Sequence, residues 1–227
     1  MTRKSSVFAV ALIAALAAVR GVTGQGDPQP ARLQQGGLPI VPVQAVAAGE
    51  VLLSLSVSPT GSVGAVDVLR TTPPFTDVVA AAVRGWRFAP AVDDRRKPMA
   101  SRVLVGAMFT APSLRVPTVG VPPKDVTPAA TALPMPLTTP MPLFPPSARF
   151  GGTVMLETLV SPSGKVVAVT TIHSSPPFDE PAMESARGWL FRPPQGPGLP
   201  PNNYAYLIFA FRTPLVGSSP PVGTLPK

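Results

Sequence analysis

Cysteine is absent from the 227-residue chain, which excludes disulfide scaffolds, thiolate catalysis and cysteine metal sites. Charged residues make up only 13% of the chain and aromatic residues 6%. The formal net charge is +8, but the basic residues are scattered, and the one cluster is Arg95-Arg96-Lys97 after Asp93-Asp94. A nucleic-acid interface needs a basic patch or stripe. We therefore interpret this cluster as a solvated turn and expect no nucleic-acid partner.

Long apolar runs are also missing. The longest is Val7–Val19, which follows Arg3 and Lys4 and is ended by Arg20, whereas a membrane span needs about 20 apolar residues. The small residues Val22-Thr23-Gly24 offer cleavage positions before Gln25. The sequence predicts an export signal peptide over residues 1–24 and a periplasmic location. A short, uncleaved inner-membrane anchor is the alternative.

What the chain does contain is an internal repeat. Residues 49–91 and 152–194 align without a gap at an offset of 103, and the offset becomes 102 in the segment that closes each copy. A repeat of this size indicates two copies of one small unit. The shared residues include Gly49/Gly152, Ser58/Ser161, Pro59/Pro162, Gly61/Gly164, Phe75/Phe178, Trp86/Trp189 and Phe88/Phe191.

The repeat defines the predicted organisation of the chain. Copy one covers residues 37–112 and copy two covers residues 143–214, after a short disordered leader at 25–36. The intervening residues 113–142 are rich in proline, which lacks an N–H and fixes φ. We expect that tract to be a semi-rigid linker without helix or strand. Residues 215–227 read as a disordered tail.

The sequence of each copy predicts, in chain order, a strand, a tight turn, a second strand, a helix and a last strand. Val51, Leu53, Leu55 and Val57 alternate with Leu52, Ser54, Ser56 and Ser58, which is typical of a half-buried strand. Ser-Pro-x-Gly follows in both copies as a turn. Apolar residues around Val79 recur on one face of the predicted helix, and Trp86 is the last of them. We therefore expect Trp86 and its counterpart Trp189 to lie in the core. Thr76 and Asp179 are the expected N-caps, and Gly85 and Gly188 are the expected left-handed C-terminal residues. The fold class is therefore α+β, with two small ββαβ domains, each a three-stranded antiparallel sheet with a packed helix, joined by the Pro-rich linker.

No motif predicts catalysis. His173 is the only histidine, and no motif places a carboxylate or nucleophile with it. Asp179, Glu180 and Glu184 could form a metal cluster, but acidic residues are favoured at a helix start in any case, and Ser174-Ser175 reads as loop. We expect no catalytic residue, no cofactor-binding residue and no metal ligand, and hence no enzyme.

An ordered motif recurs in each copy, and copy two carries it most fully, in Pro145-Pro146-Ser147-Ala148-Arg149, Gly152-Thr153-Val154, Ser161-Pro162-Ser163-Gly164-Lys165-Val166, Ser174-Ser175, Phe178-Asp179 and Trp189-Leu190-Phe191-Arg192-Pro193. This motif resembles the C-terminal domain of the TonB energy-transducer family. Copy one matches best at Trp86-Arg87-Phe88-Ala89-Pro90-Ala91. The resemblance implies a periplasmic domain that engages short segments of outer-membrane transporters and takes part in transmembrane transport.

The chain departs from a full transducer in two respects. A full transducer has a membrane-spanning anchor with a polar motor-coupling residue, usually histidine, whereas the segment at 7–19 is too short to span and carries no histidine. A full transducer also has its Pro-rich spacer between anchor and domain, whereas here the Pro-rich tract lies between two domains. We therefore expect a binding protein that docks an envelope protein or an outer-membrane receptor peptide by β-augmentation. The last strand of copy two is the expected edge, with Tyr204, Tyr206, Leu207, Ile208, Phe209 and Arg212 as partner-binding residues. A structural envelope protein, associated with peptidoglycan and without energy transduction, is the alternative.

Overall fold

A computed structural model describes residues 26–42, 45, 47–111, 124–125, 133–194, 200 and 202–213. The predicted signal peptide and tail lie outside these residues. The helices and strands are β1 (Arg32–Gln35), β2 (Gly49–Val57), β3 (Val63–Thr71), α1 (Phe75–Arg84), β4 (Arg87–Ala89), β5 (Ala91–Val92), β6 (Pro98–Met99), β7 (Ser101–Phe109), β8 (Lys124–Asp125), β9 (Met135–Thr138), β10 (Gly152–Val160), β11 (Val166–His173), α2 (Asp179–Arg187), β12 (Leu190–Arg192) and β13 (Asn203–Phe211). The α+β class is confirmed.

The long strands of both copies form one sheet. Its order is β11-β10-β13-β7-β2-β3-β8, and every neighbouring pair is antiparallel except β13 and β7, which run parallel. The last strand of each copy is therefore paired with the last strand of the other. The expectation of two separate domains is not confirmed, because each three-stranded sheet is half of this larger sheet.

The turns between the first two long strands of each copy match bond for bond. Gly61 and Gly164 have φ of 81° and 80°, a region that favours glycine. Their amides donate to the Ser58 and Ser161 carbonyls at 2.9 Å, and their carbonyls accept from the Phe88 and Phe191 amides at 2.8 Å. The predicted turns are confirmed, and each also holds the segment after its helix.

Two apolar clusters cover opposite faces of the sheet. The α1 side chains pack with Leu53 and Val105, whereas the α2 side chains pack with Leu156 and Leu207. Each cluster also takes side chains from the other copy: Met155, Tyr206 and Ile208 join the α1 cluster, and Leu52, Leu104 and Met108 join the α2 cluster. Since alternate residues of a strand face opposite sides, the two helices lie on opposite faces. Trp86 and Trp189 are fully buried, so their core assignment is confirmed.

Short strands flank both copies at matched positions. β1 pairs with β4 and β9 pairs with β12, and β9 lies 103 residues after β1. The prediction that the Pro-rich tract forms no strand is wrong at Met135–Thr138 and at Lys124–Asp125, and the leader likewise contains β1. Pro136 is tolerated in β9 because this short strand pairs on one side with β12, and an unpaired side needs no donor.

The helix ends differ from expectation. Neither helix has a side-chain N-cap. Instead Thr76 Oγ1 accepts from the Thr72 amide and Asp179 Oδ1 accepts from the Ser175 amide, both at 2.9 Å, so these residues tie down the preceding loop. Gly85 and Gly188 have φ of −83° and −81°. The predicted left-handed C-terminal glycines are therefore wrong.

Candidate docking edges

The strand predicted to be an edge lies in the middle of the sheet. β13 pairs with β10 along Asn203–Phe211 and with β7 along Ala205–Ala210. Tyr206, Leu207, Ile208 and Phe209 are fully buried, and Tyr204 is half-buried. The edge assignment is therefore wrong, because β7 of copy one fills the position that a partner strand would take. Partner binding by these residues stays an untested prediction.

Arg212 directly follows this strand and is also engaged within the chain. Its Nη1 donates to the Ala47 carbonyl at 2.9 Å, and its guanidinium lies 5.7 Å from the centre of the Phe75 ring, within range of a cation–π contact. Burial lowers the pKa of Arg212. The residue thus joins copy two to copy one rather than facing a partner.

A buried polar network fixes the junction of the copies. Glu157, on β10, is only 4% exposed and accepts two hydrogen bonds from Arg32 Nε at 3.2 Å and one from Arg32 Nη2 at 2.9 Å. Tyr206 Oη donates to Glu157 at 3.1 Å and accepts from the Leu33 amide at 2.7 Å. Burial raises the pKa of the Tyr206 hydroxyl, and the hydrogen bond to Glu157 is the main reason why the pKa of Arg32 is raised. No sequence pattern predicts this network, because Arg32 and Glu157 lie 125 residues apart.

The sheet's outer strand in copy two is β11. It pairs with β10 on one side, and no described strand pairs with its other side. Val167 is 60% exposed and Ile172 is 41% exposed. An edge strand with unpaired backbone groups and exposed apolar side chains is a template for a further strand.

On the opposite outer strand, β3, the described residues pair with its outer side only at its end. β8 pairs there antiparallel, with Arg70 opposite Asp125 and Thr71 opposite Lys124. Arg70 Nε donates to Asp125 Oδ1 at 2.7 Å, and Arg70 Nη1 donates to Glu50 Oε2 at 2.9 Å. Burial acts to lower the pKa of Arg70, but the hydrogen bonds and the charge attraction of these two carboxylates together outweigh it, so the pKa is raised. No motif singled out Arg70 or Asp125, because their pairing depends on the tertiary fold.

Among the other candidates from the sequence, Ser174, Asp179 and Glu180 have structural partners. Ser174 Oγ donates to Asp179 Oδ2 at 2.7 Å, and Glu180 pairs with Arg187 at 3.1 Å on the exposed face of α2. Within the described ranges, no three His, Asp or Glu side chains are placed to hold a metal ion. His173, at the end of β11, is exposed.

The basic cluster forms a turn, as predicted. Asp93 Oδ1 accepts from the Arg95 amide at 2.9 Å and the Lys97 amide at 2.8 Å. Nearby, a cleft of about 540 Å³ is lined by the leader, the β5–β6 hairpin and Tyr204. The one charged residue in its lining, Arg102, is bonded to Asp67 and Ser54. The cleft therefore presents a mostly apolar wall whose charge is already paired.

The family comparison agrees with this repeated architecture. The model of the Gram-negative bacterial TonB protein C-terminal family matches residues 40–110 and 142–213. The chain belongs to this family. The two matched segments correspond to the two copies, so the tandem arrangement predicted from the repeat is confirmed. A search of curated proteins finds no match.

The family places the chain in the envelope of a Gram-negative cell and gives it a TonB-like energy-transducer domain, whose relatives interact with outer-membrane receptors and envelope proteins. In the part of the chain that is described, neither helix is long and apolar enough to cross a membrane.

Proposed function

We propose that this chain is a periplasmic TonB-like binding protein that docks an extended segment of an envelope or outer-membrane transport partner. The docking is by β-augmentation at the outer side of β11. The observation that carries the proposal is the topology: β13 is paired on both sides, whereas β11 has no described partner on its outer side.

The chemistry of this edge favours a partner with apolar side chains. Backbone pairing supplies affinity in β-augmentation, and alternate side chains supply specificity. Val167 and Ile172 are exposed on this strand, and no ion pair of the described side chains involves β11. A neutral, partly apolar edge suits an extended segment with aliphatic residues.

The proposed role is binding, and it assigns no catalytic step or cofactor. We also propose that residues 1–24 direct export, which would bring the folded domains to the periplasm. The mutual pairing of β7 and β13 supports a rigid, two-copy scaffold rather than two mobile domains, because the pairing joins both cores.

The test is site-specific photo-crosslinking in cells that naturally produce the protein. A benzophenone amino acid at Val167 should crosslink one envelope protein, which mass spectrometry then identifies. The control position is Leu143, which is 79% exposed but lies outside the strands of the sheet. A peptide from the crosslinked region should then bind the purified protein, and Ile172→Lys should weaken that binding at least about tenfold, because a charged edge resists strand addition.

Equal capture at Leu143 and Val167, or a peptide affinity that Ile172→Lys leaves unchanged, would rule out β11 as the docking edge. Capture of a second molecule of the same chain at Val167 would instead make this edge a self-association surface.

A further inference from the structure

The outer side of β3 differs from that of β11 in a way that points to a second docking site. Arg70 and Glu50 form an ion pair at 2.9 Å in which the side chains are 23% and 12% exposed. The matched positions on copy two are His173 and Thr153. The two edges are therefore chemically distinct, with a charged anchor on β3 and none among the described residues of β11.

The chain itself shows what kind of segment fits this edge. Lys124–Asp125 is extended and antiparallel to β3, and Asp125 Oδ1 accepts from Arg70 Nε at 2.7 Å. The Asp125 side chain is 72% exposed. The charge-assisted bond to Arg70 and the backbone pairing are thus the described contacts that hold it.

Glu50 supplies a second observation at the same place. Its Oε2 accepts from Arg70, while its Oε1 is buried and has no hydrogen-bond partner among the described residues. A buried carboxylate oxygen without a donor costs free energy. The carboxylate that holds Arg70 is thus only partly satisfied by the described residues.

We propose that the outer side of β3 around Arg70 is an acid-selective docking site for an extended segment, and that the linker residues Lys124–Asp125 occupy it as a built-in competitor. The partner segment would run antiparallel to β3 with an aspartate or glutamate opposite Arg70. This inference rests on the proposed role as a binding protein, but it uses a different edge and different residues from β11.

Tethering explains how so short a contact can stay formed. A segment linked to its own site acts at an effective concentration on the order of millimolar. A partner segment that pairs along more of Val63–Thr71 than the two residues of β8 would displace it.

The probe is a fluorescent synthetic peptide with the sequence of residues 120–130, added to the full chain and followed by anisotropy. The wild-type chain should bind it weakly, since the site is occupied. Asp125→Arg in the chain places like charges together and vacates the site, so the affinity for the peptide should rise at least about tenfold. Asp125 is exposed, so this variant should remain folded.

Selectivity is tested in the Asp125→Arg background. Adding Arg70→Gln should return the affinity to the wild-type level or below, and Arg70→Lys should fall between, because lysine keeps the charge but lacks the fork that reaches two carboxylates. A peptide with asparagine in place of the aspartate should also bind weakly. The control His173→Ala, at the matched position of copy two, should change nothing.

Equal affinity of wild type and Asp125→Arg would overturn the built-in competitor, and binding that survives Arg70→Gln would overturn the acid-selective site. These outcomes are independent of crosslinking at Val167. If the peptide tests at β3 fail but Val167 captures a partner, only the acid-selective site is refuted. If the peptide tests succeed but Val167 captures no partner, only the proposed docking at β11 is refuted.

Discussion

Removal of the Arg32 side chain tests how strongly the leader strand is tied to copy two. In the native fold Arg32 makes three hydrogen bonds to the Glu157 carboxylate, which is 4% exposed. After Arg32→Ala, Tyr206 Oη is the only remaining described donor to a buried charge. Breaking a fully buried pair costs about 3–5 kcal/mol. Arg32 itself is 58% exposed and water can reach the gap, so we expect about 2 kcal/mol.

Thermal unfolding measures this loss. For a chain of this size, about 2 kcal/mol corresponds to a fall in Tm of roughly 4–8 °C. The matched control is Arg187→Ala, which removes the exposed ion pair with Glu180, where the side chains are 54% and 71% exposed. Such surface pairs contribute about 0–1 kcal/mol, so the control should lose less than about 4 °C in Tm.

A double-mutant cycle separates the ion pair from simple loss of side-chain contacts. Glu157→Gln removes the charge but keeps an acceptor for Tyr206. In that background Arg32→Ala should cost only about 0.5 kcal/mol, because no uncompensated charge is left behind. If Arg32→Ala has the same cost in both backgrounds, or no larger cost than Arg187→Ala, the reasoning about this network is refuted.

Three further predictions concern the joined copies. Gly106→Val should lower the free energy of unfolding, measured in urea, by about 1–3 kcal/mol, because a Cβ there would lie 3.0 Å from the ring of Trp189 in the other copy. The control Gly37→Val should have no effect, because a Cβ at that position meets nothing within 4 Å. Equal effects of the two substitutions would contradict the packing of Trp189 against Gly106. Residues 133–213 expressed alone should self-associate or lack a cooperative transition, because β13 loses β7; a stable monomer by light scattering would contradict this. In an alkaline absorbance titration, Tyr206 should ionise only above the usual tyrosine pKa of about 10, because burial raises its pKa. The stability that depends on neutral Tyr206 is present below about pH 10 and is lost as the pH rises further. Tyr206→Phe should remove the late titration step, and titration of Tyr206 near the usual pKa would argue against its burial.

The local features of each copy follow from the sequence because they depend on near neighbours. The glycines at 61 and 164, the two tryptophans and the alternating apolar residues of β2 report backbone geometry or burial within a few residues of themselves. The repeat then multiplies the signal, since each feature is found twice at a fixed offset. Fold class, copy number and core tryptophans were accessible for that reason.

The joining of the copies was not accessible in this way. An aromatic, apolar strand such as Tyr204–Arg212 is equally suited to bind a foreign strand or the last strand of the other copy, and periodicity does not distinguish them. Leu52 shares a side of β2 with Ser54 and Ser56, for which the alternation predicts exposure, yet it is 1% exposed because the α2 cluster covers that face. The ion pairs of Arg32 and Arg70 likewise depend on long-range contacts, so the candidate docking edges had to be found in the structure.

Residue-resolved amide hydrogen exchange, measured by NMR, tests the central claim most directly. We expect every amide of Ala205–Ala210 in β13 to be protected, because these residues pair with both β10 and β7. In β11 we expect protected and fast-exchanging amides to alternate, because among the described residues only its inner side is paired. Alternating exchange in β13 together with uniform protection in β11 would show that the copies are not joined through their last strands and would return the docking edge to Tyr204–Arg212.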